Sequence, residues 1–181
     1  MQMRRLNGDV RLDRIRHALY LLNVERNSDV VEMTSYAPLL AREGHIQWNP
    51  DMVYFNDTEI KPTICYEIQK LFGTHAGTRY FSSDTSFGSQ DKEVQKRFGV
   101  SVMKDDSGRT FIKVANVLPV SVKADVDIKA ICSGEVSVSS KCISGKPEET
   151  GLKAVDGPSF KTAGNLSVEV PAYSFTVFTL E

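Results

Sequence analysis

The sequence predicts a mainly β protein, an antiparallel β-sandwich preceded by a short α/β unit that does not close on itself. Three observations predict it. Alternating apolar and polar residues dominate from about Thr78 to the end, with turn signals between the runs and no long helical stretch. The first part instead shows three-and-four apolar spacing on either side of a short valine-rich run. Helix, buried strand, long loop, helix is the grammar of a parallel α/β fold, yet one such strand has no neighbours here to bury its faces.

The elements follow in order. "VRLDRIRHALYLLNVERN" places Leu12, Ile15, Ala18, Leu19 and Leu22 on one helical stripe, which Asn27 and Ser28 end. "DVVEM" (29–33) reads as a buried parallel strand, and "MVYFN" (52–56) as a second extended run. "KPTICYEIQKLFGTHAG" is a second helix, with Pro62 near its first turn, Gly73 or Gly77 at its close, and an apolar stripe of Ile64, Ile68, Leu71 and Phe72. The domain boundary is expected near Gly77, dividing the chain into 1–77 and 78–181. Beyond it, "EVQKRFGVSVMKDDSGRTFIKVANVL" is a hairpin turning at Asp105-Asp106-Ser107-Gly108. "VSVKADVDIKAI" lines up Val120, Val122, Ala124, Val126 and Ile128, and "EVSVSSKCI" repeats the alternation. "GLKAVDGPSFKTAGN" reads as loop, and "LSVEVPAYSFTVFTL" as two closing strands, the last apolar on much of both faces.

The 181 residues suffice for one domain or one and a half, and 41% hydrophobic with 25% charged residues is an ordinary globular composition. A net charge of −1, from 22 basic and 23 acidic residues, argues against a nucleic-acid or anionic-membrane partner. Arg4, Arg5, Arg11, Arg14 and Arg16 come nearest to a basic patch, though a solvated helix face explains them as well. No apolar run approaches the roughly 18 to 20 residues that span a bilayer, and "MQMRRLNGDVRLD" lacks the apolar core of a signal peptide. Cys65, Cys132 and Cys142 lack metal-ligand spacing; they read as free thiols, although Cys132 and Cys142 could face each other across a hairpin. Asn56 and Asn165 open glycosylation sequons.

Few groups here could carry chemistry. His17, His45 and His75 form no metal motif, and neither a nucleophile elbow nor a glycine-rich phosphate loop is present. Two carboxyls suffice for glycoside hydrolysis, and Glu25, Asp29 and Glu32 cluster in sequence. On a buried strand Glu32 must be paired, structurally or within a site. Glu148 and Glu149 lie in a solvated loop. The loop holding Trp48, the only tryptophan, is the best ligand surface: an indole stacks on a sugar face while Asn49 and Asp51 bond its hydroxyls. Equally, Trp48 could plug a gap between the domains with Asn49 and Asp51 as turn residues around Pro50. Composition favours that plainer reading.

Ordered motifs sharpen this picture. Glu25-Arg26-Asn27-Ser28-Asp29-Val30-Val31 is followed by Met33-Thr34-Ser35-Tyr36-Ala37-Pro38-Leu39, then Trp48-Asn49-Pro50-Asp51, Phe55-Asn56 and Ile68-Gln69-Lys70-Leu71-Phe72. This set, with the closing "VPAYSFTVFTL", resembles the C-terminal part of α-L-arabinofuranosidases of glycoside hydrolase family 51, in the plant-type and gut-bacterial branch. The motifs cover about 70 residues; residues 85 to 165 agree only in pattern. The resemblance implies a (β/α)8 barrel followed by a sandwich of jelly-roll type. Residues 1–77 would then be the end of the barrel: its seventh helix, eighth strand, loop and eighth helix. The Trp48 loop would lie on the face where barrel active sites are built. The family's two catalytic glutamates sit in N-E and E-Y or E-W contexts on earlier strands, and neither motif occurs here. No catalytic residue is therefore carried over, and inactivity of this chain alone is expected. Another bacterial branch places a substrate-contacting Gln where this chain has Pro38. Tyr36, Trp48 and Asn49 are the positions expected to touch or border the sugar in a complete enzyme.

The implied partner is an arabinose-containing oligo- or polysaccharide, with no cofactor and no metal, and the implied parent is periplasmic or secreted. Two other readings stand beside it: a free-standing carbohydrate-binding or interaction module, and an independent enzyme using Glu32 and Asp51. The apolar strand and helices of the first part must either dock on the sandwich or pair with a second copy.

Overall fold

The computed structural model describes residues 13–145 and 151–181. Most of the arginine-rich start, with Leu12, lies outside the described residues, as do Glu148 and Glu149.

Helix α1 (Asp13–Arg26) buries Ile15, Ala18, Leu21 and Leu22, with Leu19 packed at its margin. Asparagines close it: the Asn27 side chain donates to the Asn23 carbonyl at 2.7 Å, and the Asn23 side chain to Leu19 at 3.0 Å. Three short strands follow, β1 (Leu40–Arg42), β2 (Val53–Phe55) and β3 (Ile60–Pro62), with β1 parallel to β2 and β2 antiparallel to β3. Helix α2 (Ile64–Thr74) buries Ile64, Cys65, Ile68, Leu71 and Phe72. Its N-cap is Thr63, so Pro62 closes β3 instead of starting the helix, and His75 rather than a glycine caps its end.

The expected strand at 29–33 does not form. Residues 27–30 turn and 31–36 take no regular secondary structure and join no ladder, with Val30 73% and Met33 86% exposed. A two-faced apolar strand needs partners on both edges, and none is present among the described residues. The small β1–β3 sheet occupies the long loop foreseen between the helices.

The remainder is β. Strands β4 (Arg79–Phe81), β5 (Phe98–Lys104), β6 (Thr110–Asn116), β8 (Glu135–Ser144), β10 (Phe160–Ala163) and β12 (Ser174–Leu180) form one antiparallel sheet in the order β10-β8-β12-β6-β5-β4, with β9 (Val155–Asp156) beside β8. A second sheet pairs β7 (Val122–Asp127) with β11 (Asn165–Val170). The β5–β6 hairpin turns where the sequence says it should. Asp105 Oδ1 accepts from the backbone of Ser107 and Arg109 at 3.0 and 2.9 Å, and Gly108 supplies φ +93°. Two strands appear inside the stretch read as loop, β9 and β10. Both are mostly exposed and β10 is an edge, so neither carries the apolar alternation that betrays a strand. One helical turn, α3 (Lys92–Gln95), interrupts the approach to β5; Asp91 caps it through Glu93 N at 2.8 Å.

The architecture has three layers. The large sheet packs one face on β7 and β11, burying Val102, Ile112, Val114, Ile128, Leu166 and Phe178. Its other face receives α1 and α2, burying Met103, Phe111, Ala115, Val117, Ile143, Phe175 and Val177. Strand β6 is buried at every position, and in β12 Phe175 and Val177 face the helices while Phe178 and Leu180 face the small sheet. Phe72 of α2 lies flat on Phe175, with ring centroids 4.9 Å apart. The helices therefore dock on the sandwich, one of the two outcomes expected. Cys65, Cys132 and Cys142 form no disulfide.

Candidate functional site

The candidate surface lies between α1 and α2, where residues 31–56 leave the helix layer and return to it. The carboxylates clustered in sequence do not converge. Asp29 and Glu32 are exposed, and so is His45. Glu25 turns the other way, into the protein, where it takes the ammonium of Lys113 on one oxygen and the Ser101 hydroxyl on the other. Lys113 is wholly buried, with its nitrogen 4.8 Å above the Phe72 ring. This carboxylate holds α1 to β5 and β6, with each of its oxygens engaged by a side chain of the sheet.

Tyr36 is half-buried against the helices. Its ring meets His17 edge-on at 5.3 Å, and His17 in turn contacts the Gln69 amide at 3.1 Å. Burial, then the neighbouring Cys65 thiol to which it is hydrogen-bonded, then Tyr54 and Asp51, raise the Tyr36 phenol far above its ordinary value. Tyr36 is therefore a neutral hydroxyl at any physiological pH.

Asn49 reaches the same neighbourhood through Tyr54. The Tyr54 hydroxyl donates to Asn49 Oδ1 at 2.7 Å and accepts from the Asp51 backbone N–H at 3.0 Å. Asp51 is only 2% exposed, and its Oδ2 has no hydrogen-bond partner among the described residues. The base of the loop is held where β1 runs parallel to β2, with Leu40 opposite Val53 and Arg42 opposite Phe55. Trp48 stands at the tip, 64% exposed, so it plugs no gap in this chain.

The structure thus ties Asn49 to Tyr54, sets Tyr36 against His17 and Cys65, and leaves Trp48 exposed at the loop tip. Beside Tyr36 opens a cleft of about 500 Å³ lined by Thr34, Leu39, Met52, Tyr66 and Gln69, among others. Sequence reasoning missed Tyr54 and Cys65. The first lay inside a run read only as a strand, and the second sits on α2, distant in sequence from the motif it supports.

A sandwich of two unequal sheets with two helices stacked on the larger one defines the fold. An arabinose-bound GH51 α-L-arabinofuranosidase superposes with a TM-score of 0.79 over 90% of this chain and 26% of its own, at 24% identity, a likeness of fold. The profile of the α-L-arabinofuranosidase C-terminal domain matches residues 12–174, and the chain belongs to that family. A probable α-L-arabinofuranosidase A of Aspergillus oryzae is 30% identical over 180 residues, 90% of this chain and 26% of its own length. An extracellular exo-α-L-arabinofuranosidase of Streptomyces chartreusis is 47% identical over 66 residues, 36% of this chain and 8% of its own length. The chain thus spans about a quarter or less of these relatives.

Proposed function

We propose that this chain serves as the C-terminal region of a retaining α-L-arabinofuranosidase that releases terminal arabinofuranose from arabinose-containing polysaccharides. Both catalytic glutamates lie in polypeptide outside these 181 residues, and the chain alone is inactive. In such an enzyme two carboxyls about 5 Å apart perform a double displacement through a glycosyl-enzyme intermediate. Here the candidate carboxylates are dispersed: Glu25 is bound to Lys113, Glu32 faces solvent, and Asp51 is buried.

The observation that carries the reading is the segment 31–36, which joins no sheet, lying within a match that runs from residue 12 to 174. Residues 1–77 are, on this reading, the end of a (β/α)8 barrel whose other strands would flank 31–36. Residues 78–181 are the supporting sandwich. Tyr36, Trp48 and Asn49 contribute to the rim of the sugar site. Tyr36 acts as a hydroxyl donor and acceptor, Trp48 as a stacking face, and Asn49 as an amide oriented by Tyr54.

The test is release of the chromophore from an aryl α-L-arabinofuranoside by the purified chain. No turnover is expected. Turnover abolished by Glu32→Gln or Asp51→Asn would establish an independent enzyme and overturn the proposal. The exposure of Trp48 gives a second reading some support, a carbohydrate-binding module active without the rest of the enzyme. Titration with arabino-oligosaccharides decides it: Trp48 fluorescence that saturates at millimolar ligand or below favours the module.

A further inference from the structure

The two faces of the large sheet are held by different chemistry. The face toward β7 and β11 is closed mainly by apolar side chains, Val102, Ile112, Val114, Leu166, Val170 and Phe178 among them, with Asn116 donating to the Val170 carbonyl at 3.3 Å and Lys104 reaching the Ile131 carbonyl at 3.4 Å; no histidine lies in this cluster. Apolar burial does not titrate. The face toward the helices carries an ionisable group at every seam. Between α1 and α2, His17 is wedged against Gln69, Tyr20 and Tyr36. Between the end of α2 and the sheet, His75 packs edge-on against Phe111 at 5.5 Å, its Nδ1–H donating to the Leu71 carbonyl at 2.9 Å. Between α1 and strands β5 and β6 lies the Glu25–Lys113 pair with Ser101.

We infer that the α1–α2 layer is an acid-released latch, which leaves the sandwich as the pH falls while the sandwich itself stays folded.

The charges that act on His75 all lower it, against the hydrogen bond to the Leu71 carbonyl, which raises it. His75 feels the positive charges of Lys113 and Arg109 on and beside β6 and of Lys141 on β8. Of these, Arg109 is paired with Asp105 and Lys141 with Asp156, and β12 presents no ionisable group to the helices. On α2 the acid Glu67 is 4.0 Å from Lys70, and on α1 Arg26 reaches the Val100 carbonyl at 3.5 Å. Burial is the first cause that lowers His17 and His75 below the ordinary imidazole value. The docked layer therefore binds fewer protons than the released one. Its stability is complete above the ordinary imidazole value of 6.5 and is lost as pH falls through the lowered values of the docked state. Lys113 is likewise lowered, by burial, against the pull of Glu25.

The test equilibrates the whole chain at steps from pH 7 to pH 3, applies a brief deuterium pulse at one fixed pH, and reads protection by mass spectrometry. Peptides covering 13–26 and 64–74 are expected to lose protection at higher pH than those covering β5, β6 and β12. Substituting both histidines (His17→Gln, His75→Gln) should move the helix-layer midpoint down by roughly half a pH unit or more. The single variants His17→Gln and His75→Gln should each move it part of the way, and either serves alone if the double variant does not fold. Loss of both layers at one pH would overturn the inference. So would a helix-first release whose midpoint these substitutions do not move.

Discussion

Lys113 shows why a charge can sit in the centre of this protein. Its aliphatic stem lies among apolar neighbours, its ammonium is shared between the Glu25 carboxylate and the face of Phe72, and Ser101 takes the other carboxylate oxygen. Removing one member leaves the other buried and unpaired. Glu25→Ala is expected to lower unfolding stability by about 3 to 5 kcal/mol, measured by denaturant titration. Glu25→Leu together with Lys113→Met should recover most of that loss, because neither charge is then stranded. At the candidate rim the decisive residue is Tyr54, whose hydroxyl both orients Asn49 and accepts from the Asp51 backbone. Tyr54→Phe removes both bonds, and a loss of about 1 to 2 kcal/mol in thermal or denaturant unfolding is expected. None of these partnerships was legible in the sequence. Glu25 and Lys113 are far apart in the chain, and nothing in the composition of either segment says that they meet.

At the scale of elements, legibility followed burial. The hairpin at Asp105 to Gly108 and the two-faced strand β12 were readable because turn chemistry and apolar alternation are written locally. Strands β9 and β10 were not, because exposed edge strands have no pattern to show. The run 29–33 failed for the opposite reason. Its valines describe a strand that needs neighbours, and sequence alone cannot show that the neighbours are missing. Gly77, placed at the domain boundary, has a role that its position did not reveal. A Cβ there would lie 2.8 Å from the Lys104 carbonyl oxygen and 2.9 Å from its backbone nitrogen, where β4 joins β5. Gly77→Ala is therefore expected to unzip β4, seen as faster amide exchange in residues 79–81 while β6 remains protected.

At the scale of the whole molecule, a sandwich of two sheets carries a layer of two helices that shares a core with the larger sheet. The helices are anchored by their own core, but most exposed large apolar side chains fall between residues 30 and 66, including Val30, Met33, Leu40, Trp48 and Ile60. If that face awaits further polypeptide, replacing Val30 and Met33 with serine should change stability by no more than about 0.5 kcal/mol while reducing self-association in sedimentation. We propose that this chain supplies rim and support, and that the bond-breaking carboxylates belong to other polypeptide. The most direct test compares hydrolysis of an aryl α-L-arabinofuranoside by this chain and by the same chain extended with its native upstream polypeptide. The account predicts no turnover above buffer for the first and full turnover for the second. Hydrolysis by the unextended chain, lost on substituting Glu32 or Asp51, would contradict it.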